Sequence, residues 1–125
     1  MSQDGNGERT RSSTINVQRS TAGSTVVNLV GDLIGDAIEA MQQTLVDELS
    51  RAPAQLIVDL SAITRIDAGG VHVLAAAAAF AGESDRAFCL VAGRAGPVQA
   101  ALAAEQLSEL FEIFSSISEA MQDCR

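Results

Sequence analysis

Hydrophobic and polar positions along the chain change rhythm repeatedly, and each change predicts a new secondary-structure element. Residues 15–19 and 25–30 are rich in β-branched side chains, and the turn-forming residues between them predict a β-hairpin. Farther along, apolar residues recur every three or four positions until Pro53, which is typical of an amphipathic helix. Asp36, followed three residues later by Glu39, resembles a capping box at the start of this helix.

The rest of the chain alternates short apolar runs with helical patterns. Strands are predicted at residues 56–60, 87–91 and 110–114. Helices are predicted over residues 71–81, from Pro97 onward and from Ser116 onward. Continuous apolar runs suit strands that are covered on both faces, and proline fits the first turn of a helix. Ser116 with Glu119 forms a second capping box.

The predicted order of elements is therefore ββαβαβαβα. Strands separated by helices run largely parallel, with right-handed crossovers. The sequence thus predicts an α/β fold, a four- to five-stranded mixed sheet with about four helices. We expect a single domain over residues 15–125, because 125 residues suit one hydrophobic core. Residues 1–14 are mostly polar, and we expect them to form a disordered leader.

The charge balance argues against nucleic acid as a partner. The chain has 16 acidic against eight basic residues, for a formal net charge of -8. All the basic residues are arginines, and Trp and Tyr are absent, so neither a basic patch nor a stacking platform for bases is predicted. The longest apolar run, residues 71–81, falls well short of the roughly 20 residues that span a bilayer. We expect a cytoplasmic protein without a membrane span.

Candidate catalytic residues lack partners in the sequence. His72 is the only histidine, and no Ser-His-Asp pattern surrounds it, so we expect an ordinary surface or core residue. The absence of lysine excludes a Walker-type nucleotide site. Cys89 and Cys124 are too few and too far apart in sequence to indicate a disulfide framework or a metal cluster, and a redox switch joining them is the less favoured interpretation. We expect no enzyme activity, no metal and no cofactor.

The segment Asp67-Ala68-Gly69-Gly70 lies where a predicted strand gives way to a helix. Proteins of the α/β class commonly present functional residues at this place. A purely structural role explains the segment equally well, because Asp67 can cap the helix and the glycines permit a tight turn. Spacing alone does not decide between the two explanations.

Three motifs together resemble one known family. Residues 56–71, LIVDLSAITRIDAGGV, closely resemble the signature of STAS domains in bacterial anti-sigma factor antagonists, V-[IV]-D-L-S-x-[LV]-x-x-[IM]-D-S-[STA]-G-[LV]. Residues 29–33, LVGDL, resemble the family's L-x-G-[ED]-L element, and residues 107–113, LSELFEI, resemble its late L-x-x-[LV]-[FL]-x-[IV] segment. The motifs have matching separations, cover about residues 15–121, and imply a STAS fold.

The resemblance also implies a function. Such antagonists bind an anti-sigma factor that is also a serine kinase, and thereby release a sigma factor for transcription. The kinase ends the interaction by phosphorylating the serine after the motif's aspartate, since a phosphoserine brings about two negative charges into the interface. The partner-binding residues implied here are Asp32, Asp36, Asp67, Ala68, Gly69, Gly70 and His72.

Ala68 stands at the position of that serine. Without a hydroxyl there, we expect an antagonist that stays permanently in its binding-competent form. Ser61 and Thr64 are nearby hydroxyls that could be modified instead, but we expect Ser61 to end a strand and Thr64 to pack or to cap. The chain also has Ile34 where the family often has Asp or Asn, which is a second departure from the pattern.

Two other functions on the same fold compete with this one. Some single STAS domains are soluble subunits of ABC transporters for lipids or solutes, and contact the ATPase. Others are sensor modules that hold a nucleotide or a small apolar ligand between sheet and helices. For all three functions we expect a monomer or a weak homodimer.

Overall fold

A computed structural model describes residues 14–93 and 95–124, which contain five strands, four α-helices and one 3₁₀ turn. The strands are β1 (Thr14–Arg19), β2 (Ser24–Leu33), β3 (Gln55–Ile66), β4 (Ala87–Val91) and β5 (Glu112–Phe114). The helices are α1 (Asp36–Ser50), α2 (Ala68–Glu83), α3 (Pro97–Ala104) and α4 (Ile117–Asp123), with the 3₁₀ turn at Ser108–Leu110. The predicted α/β fold and its ββαβαβαβα order are confirmed. Residues 1–13 of the predicted leader lie outside the described residues, and Thr14 already belongs to β1.

The strands follow one another across the sheet in chain order, β1-β2-β3-β4-β5. β1 runs antiparallel to β2, and every other neighbouring pair is parallel. Each helical connection from β2 onward is a right-handed crossover, and each adds the next strand at the same edge of the sheet. The helices α1, α2 and α3 therefore lie on one face of the sheet. The core divides accordingly: Leu45 and Leu74 belong to a large cluster on that face, and Ile57 and Ala120 to a smaller one under α4.

β3 is longer than the sequence pattern predicted. It continues from the apolar run through Ile66, where residues 62–63 and 65–66 pair with β2, while β4 pairs only with the first five residues of β3. Thr64 and Arg65 are exposed on this extension, and their polarity made the segment resemble a loop. α2 consequently begins at Ala68, three residues before the predicted start at residue 71.

The predicted strand at residues 110–114 is shorter in the structure. Its first residue, Leu110, belongs to the 3₁₀ turn and is about half exposed, so the strand begins only at Glu112. The apolar composition of the run predicted burial, but the tight turn directs Leu110 outward.

The capping box predicted at Asp36 is wrong. Gly35 is the N-cap, its φ of 58° lies in the left-handed region that glycine adopts without strain, and Asp36 is the first residue of α1 with no side-chain cap. The second box is half confirmed. Ser116 Oγ accepts a hydrogen bond from the Glu119 backbone N–H at 3.1 Å, but the Glu119 carboxylate accepts from the backbone and hydroxyl of Ser115.

An ion pair joins the edge strand β1 to α1. Arg19 donates two hydrogen bonds to the Glu48 carboxylate, from Nε to Oε1 at 2.9 Å and from Nη2 to Oε2 at 2.6 Å. Arg51 Nε lies 3.7 Å from Oε2 of the same carboxylate. Glu48 is buried, and the Arg19 hydrogen bonds hold its pKa below the ordinary value despite the opposing effect of burial.

Candidate functional site

The start of α2 is held by its own N-cap. Asp67 has extended backbone, and its Oδ1 accepts a hydrogen bond from the Gly70 N–H at 3.2 Å, as the sequence predicted. Asp67, Ala68 and Gly69 are exposed. A carboxylate at this place also interacts favourably with the positive end of the helix dipole. The Ala68 methyl group is therefore presented to solvent on a rigid helical turn.

The two glycines at this helix start have different roles. Gly70 is buried, and a Cβ there would lie 3.0 Å from Ile66 Cγ1 and 3.6 Å from Leu33 Cδ2. Its missing side chain lets α2 approach the strands closely, and it cannot itself contact a partner in this structure. Gly69 is exposed, and a Cβ there would lie 3.4 Å from Ile38 Cδ1. The starts of α1 and α2 are therefore neighbours.

Asp32 is engaged within the chain. It lies near the end of β2, where Arg65 of β3 is its partner in register. Asp32 Oδ1 accepts a hydrogen bond from the Thr64 hydroxyl at 2.6 Å, and Oδ2 lies 3.8 Å from Arg65 Nη1. The carboxylate thus fixes the segment of β3 that leads into Asp67. Thr64 neither packs into the core nor caps a helix, in contrast to the sequence-based expectation.

Asp36 and His72 lie on either side of the helix start. Asp36 is exposed in the first turn of α1. His72 is exposed one turn after Ala68, so the two side chains share a face of α2. Its Nε2 lies 3.0 Å from Oε1 of Glu105, the residue that ends α3. This contact joins α2 to α3 at the surface.

The exposed residues around the start of α2 are together called the α2 entry surface. It consists of the exposed residues Asp36, Asp67, Ala68, Gly69 and His72. The structure brings these sequence-predicted residues to one end of the sheet, where β2 and β3 finish. Of the remaining two predicted residues, Asp32 contacts Thr64 and Arg65 at the end of β3, and Gly70 sets the helix packing.

Ser61 lies inside β3 and does not end the strand as expected. Its hydroxyl donates a hydrogen bond to Asp59 Oδ1 at 2.6 Å, and its backbone N–H donates to the same oxygen at 3.0 Å. Both hydroxyls near the helix start, those of Ser61 and Thr64, are therefore bound to a carboxylate.

An apolar groove lies between α1 and α2. Leu45 and Val46 line it from α1, and Val73, Ala77 and Phe80 line it from α2. Val46 and Phe80 are each about half exposed. The groove therefore lies between two helices. The sensor interpretation expected a ligand in a different place, between the sheet and the helices.

Cys89 and Cys124 form a disulfide, with 6.0 Å between their Cα atoms, so the two cysteines are paired as in the less favoured of the two sequence-based interpretations. Their separation along the chain argued against pairing, but β4 and α4 bring them together on one face of the sheet. Both cysteines are buried, Cys89 in β4 and Cys124 directly after α4, and their places in the apolar pattern of the sequence were a signal for this shared face.

Over residues 14–93 and 95–124, no group of three or more His, Cys, Asp or Glu side chains is arranged to hold a metal ion. No helix in these two stretches has the length and apolar character needed to cross a membrane.

A mixed five-stranded sheet, three helices on one face, one on the other, and a capped helix start after β3 define a distinct class of small α/β domain. The family model described as "Mlab, STAS domain" matches residues 16–113. The chain belongs to the STAS domain family. No curated protein matches the sequence at a significant level.

Solved structures share this fold. An anti-sigma factor antagonist from Mycobacterium paratuberculosis superposes with a TM-score of 0.81 and 24% identity, over 92% of this chain and 96% of that chain. The unphosphorylated anti-sigma factor antagonist SpoIIAA gives 0.74 and 15%, over 87% and 94%. A sulfate transporter family protein from Wolinella succinogenes gives 0.69 and 18%, over 84% and 87%. At these identities the likeness shows the fold.

Proposed function

We propose that this chain is an anti-sigma factor antagonist, which binds a kinase-type anti-sigma factor through the α2 entry surface and so releases a sigma factor. The observation that carries the proposal is the position of Ala68, exposed at the first residue of α2 directly after the capping Asp67. The antagonist structures with the same fold support the choice of partner. The proposed role is regulation of transcription, in the cytoplasm.

The chemistry of the surface suits a protein partner. Ala68 and Gly69 carry little side chain, so a partner's backbone can approach the helix start closely. Asp36 and Asp67 add negative charge, which favours a basic patch on the partner and guides its approach. Residues 68–82 of α2 contain no acidic or basic residue apart from His72, so the rest of this helix presents no charge that would repel a partner.

Ala68 removes the hydroxyl by which such complexes are normally dissociated. Residues 67–70 contain no serine or threonine, so a kinase has no acceptor at the helix start. Modification of Thr64 or Ser61 would place a phosphate beside the carboxylate that each hydroxyl now contacts at 2.6 Å, and like-charge repulsion would oppose it. The complex is therefore expected to persist in the presence of ATP.

A charge placed on the entry surface tests the proposal. Ala68→Glu puts a carboxylate in the first turn of α2, where the helix dipole tolerates it, so the fold should be retained. Because the longer side chain blocks the close approach that Ala68 allows, and its carboxylate must be desolvated in the contact, affinity for the kinase-type anti-sigma factor should fall about 100-fold or more by calorimetry. Ala79→Glu is the matched control, since Ala79 is exposed on the same helix about 16 Å farther along. Equal affinity of Ala68→Glu and the natural chain would reject the proposal.

A second candidate function is a soluble subunit that contacts the ATPase of an ABC transporter, and the sulfate transporter family protein from Wolinella shows that this fold also occurs among transport proteins. The two functions differ in where the protein is found. A transporter subunit copurifies with membranes and an ATPase, whereas an anti-sigma antagonist stays in the high-speed supernatant with a kinase-type anti-sigma factor.

A further inference from the structure

The end of α4 is fastened to the sheet by a covalent bond. Cys89 in β4 is completely buried, Cys124 follows the last residue of α4 and is 7% exposed, and the two form a disulfide. Their Cα separation of 6.0 Å falls within the range of ordinary disulfides. The bond joins the C-terminal end of a helix to the middle of a buried strand.

Gln55 holds the same end of α4 by hydrogen bonds. Its Nε2 lies within 3.3 Å of three backbone carbonyl oxygens at the end of α4, those of Ala120, Met121 and Cys124. Its Oε1 accepts a hydrogen bond from the Ser24 hydroxyl at 2.7 Å, which orients the amide. The amide and the disulfide therefore restrain one helix end from two directions.

The other restraints on α4 are its N-cap at Ser116 and a small apolar contact that includes the partly buried Ile117. The helix has seven residues, too few to be stable by itself in water. Ala120 is the only fully buried residue of α4, and its side chain adds a single methyl group to the core. The covalent bond is thus the largest restraint on this helix, and beneath it lie the apolar side chains of Val26, Ile57 and Val91.

We propose that Cys89 and Cys124 form a reversible thiol–disulfide site, at which a dithiol reductant releases the end of α4 from the sheet. A thiolate of the reductant attacks Sγ of Cys124, the more exposed sulfur, and Cys89 leaves as a thiolate that takes up a proton. The second thiol of the reductant then breaks the mixed disulfide and frees Cys124. Two electrons and two protons pass to the protein, and the reductant becomes a disulfide.

This site is independent of the proposed docking function. Gln55 begins β3 and pairs with the first residue of β4, whereas Asp67 follows the last residue of β3. At about 3.3 Å per residue, the 12 residues of β3 separate the two regions by roughly 40 Å. A failure to bind an anti-sigma factor and a failure to release α4 are therefore distinguishable outcomes.

Hydrogen exchange of the full chain tests the proposal. The amides of Ala120 and Cys124 donate to helical carbonyl oxygens, and the amide of Val71 in α2 serves as a reference far from the disulfide. Adding dithiothreitol should speed exchange at the two α4 amides about 30-fold or more beyond the change at Val71, which reports the loss of global stability. Oxidised dithiothreitol should restore the slow exchange.

Cys124→Ser is the matched variant, chosen because Cys124 lies near the surface and Cys89 is fully buried. It should exchange rapidly in α4 with and without reductant. The proposal is overturned if α4 keeps its protection after reduction, if reduction speeds exchange equally throughout the chain, or if the two reduced thiols do not pair again.

Discussion

The two ends of β3 are built in different ways. At the carboxyl end, exposed groups are arranged by a helix cap and by the hydrogen bond from Thr64 to Asp32. At the amino end, Gln55 and the Cys89–Cys124 disulfide fasten α4 over buried apolar side chains. The first end can lose a surface group without exposing the core, and the second cannot. Changes at the carboxyl end should therefore alter binding, and changes at the amino end should alter stability.

The largest effect on stability is expected from loss of the disulfide. The bond closes a loop with a sequence separation of 35, so its removal should cost about 3–4 kcal/mol by the loop-entropy relation. Urea unfolding of Cys124→Ser and of the oxidised natural chain measures this difference. Affinity for an anti-sigma factor should be unchanged in conditions where the variant is folded. A stability difference below about 1 kcal/mol, or a large loss of affinity, would break the distinction between the two ends.

A smaller loss of stability is expected from Glu48→Gln, because Glu48 lies in α1 and at neither end of β3. The substitution removes the charge that receives two hydrogen bonds from Arg19, and should cost about 1–2 kcal/mol at neutral pH. The pKa of Glu48 is lowered in the folded chain, so its stabilising effect is present above about pH 5 and is lost as the pH falls through the folded value. Urea unfolding between about pH 3 and pH 7 provides the measurement.

Glu39→Gln is the control for this prediction, because Glu39 is exposed in the first turn of the same helix. Its stability difference from the natural chain should stay small across the pH range. If Glu48→Gln lowered the free energy of unfolding equally at low and at neutral pH, the ion pair would not be the source of the effect.

The smallest effect on folding is expected at Asp67. Asparagine is as good an N-cap as aspartate, so Asp67→Asn should change stability by no more than about 0.5 kcal/mol, whereas Asp67→Ala should cost about 1 kcal/mol. Both variants lose the charge, and affinity for the anti-sigma factor should fall about tenfold in each. Thermal unfolding and calorimetry separate the two quantities. Affinity that followed stability, normal for Asn and reduced for Ala, would show that Asp67 acts through the helix cap alone.

The sequence predicted the order of elements because apolar spacing follows the geometry of each element. It failed where the surroundings of a segment decide its structure. The second half of β3 has a strand on one side only, so Thr64 and Arg65 are polar and the segment resembled a loop. Gly69 and Gly70 have low helix propensity, yet both lie in α2 because Gly70 must pack against Ile66.

The candidate site was predictable in its position but not in its details. The motif located Asp67 and Ala68, and the cap at Asp67 followed from residue type. The burial of Gly70 depends on how closely α2 approaches Leu33, which no local pattern records. The sequence did not favour the cysteine pair either, since pairing requires α4 to pack on the face of the sheet opposite the other helices.

The central claim is that the start of α2 docks a kinase-type anti-sigma factor and that Ala68 removes the acceptor which would end this contact. Ala68→Ser adds a single oxygen atom and so restores the hydroxyl. With the kinase and ATP, the variant should gain one phosphate at residue 68 and lose the complex, while the natural chain gains none at residues 67–70 and stays bound. Phosphate at that segment in the natural chain, or a phosphorylated Ala68→Ser that remains bound, would contradict the account.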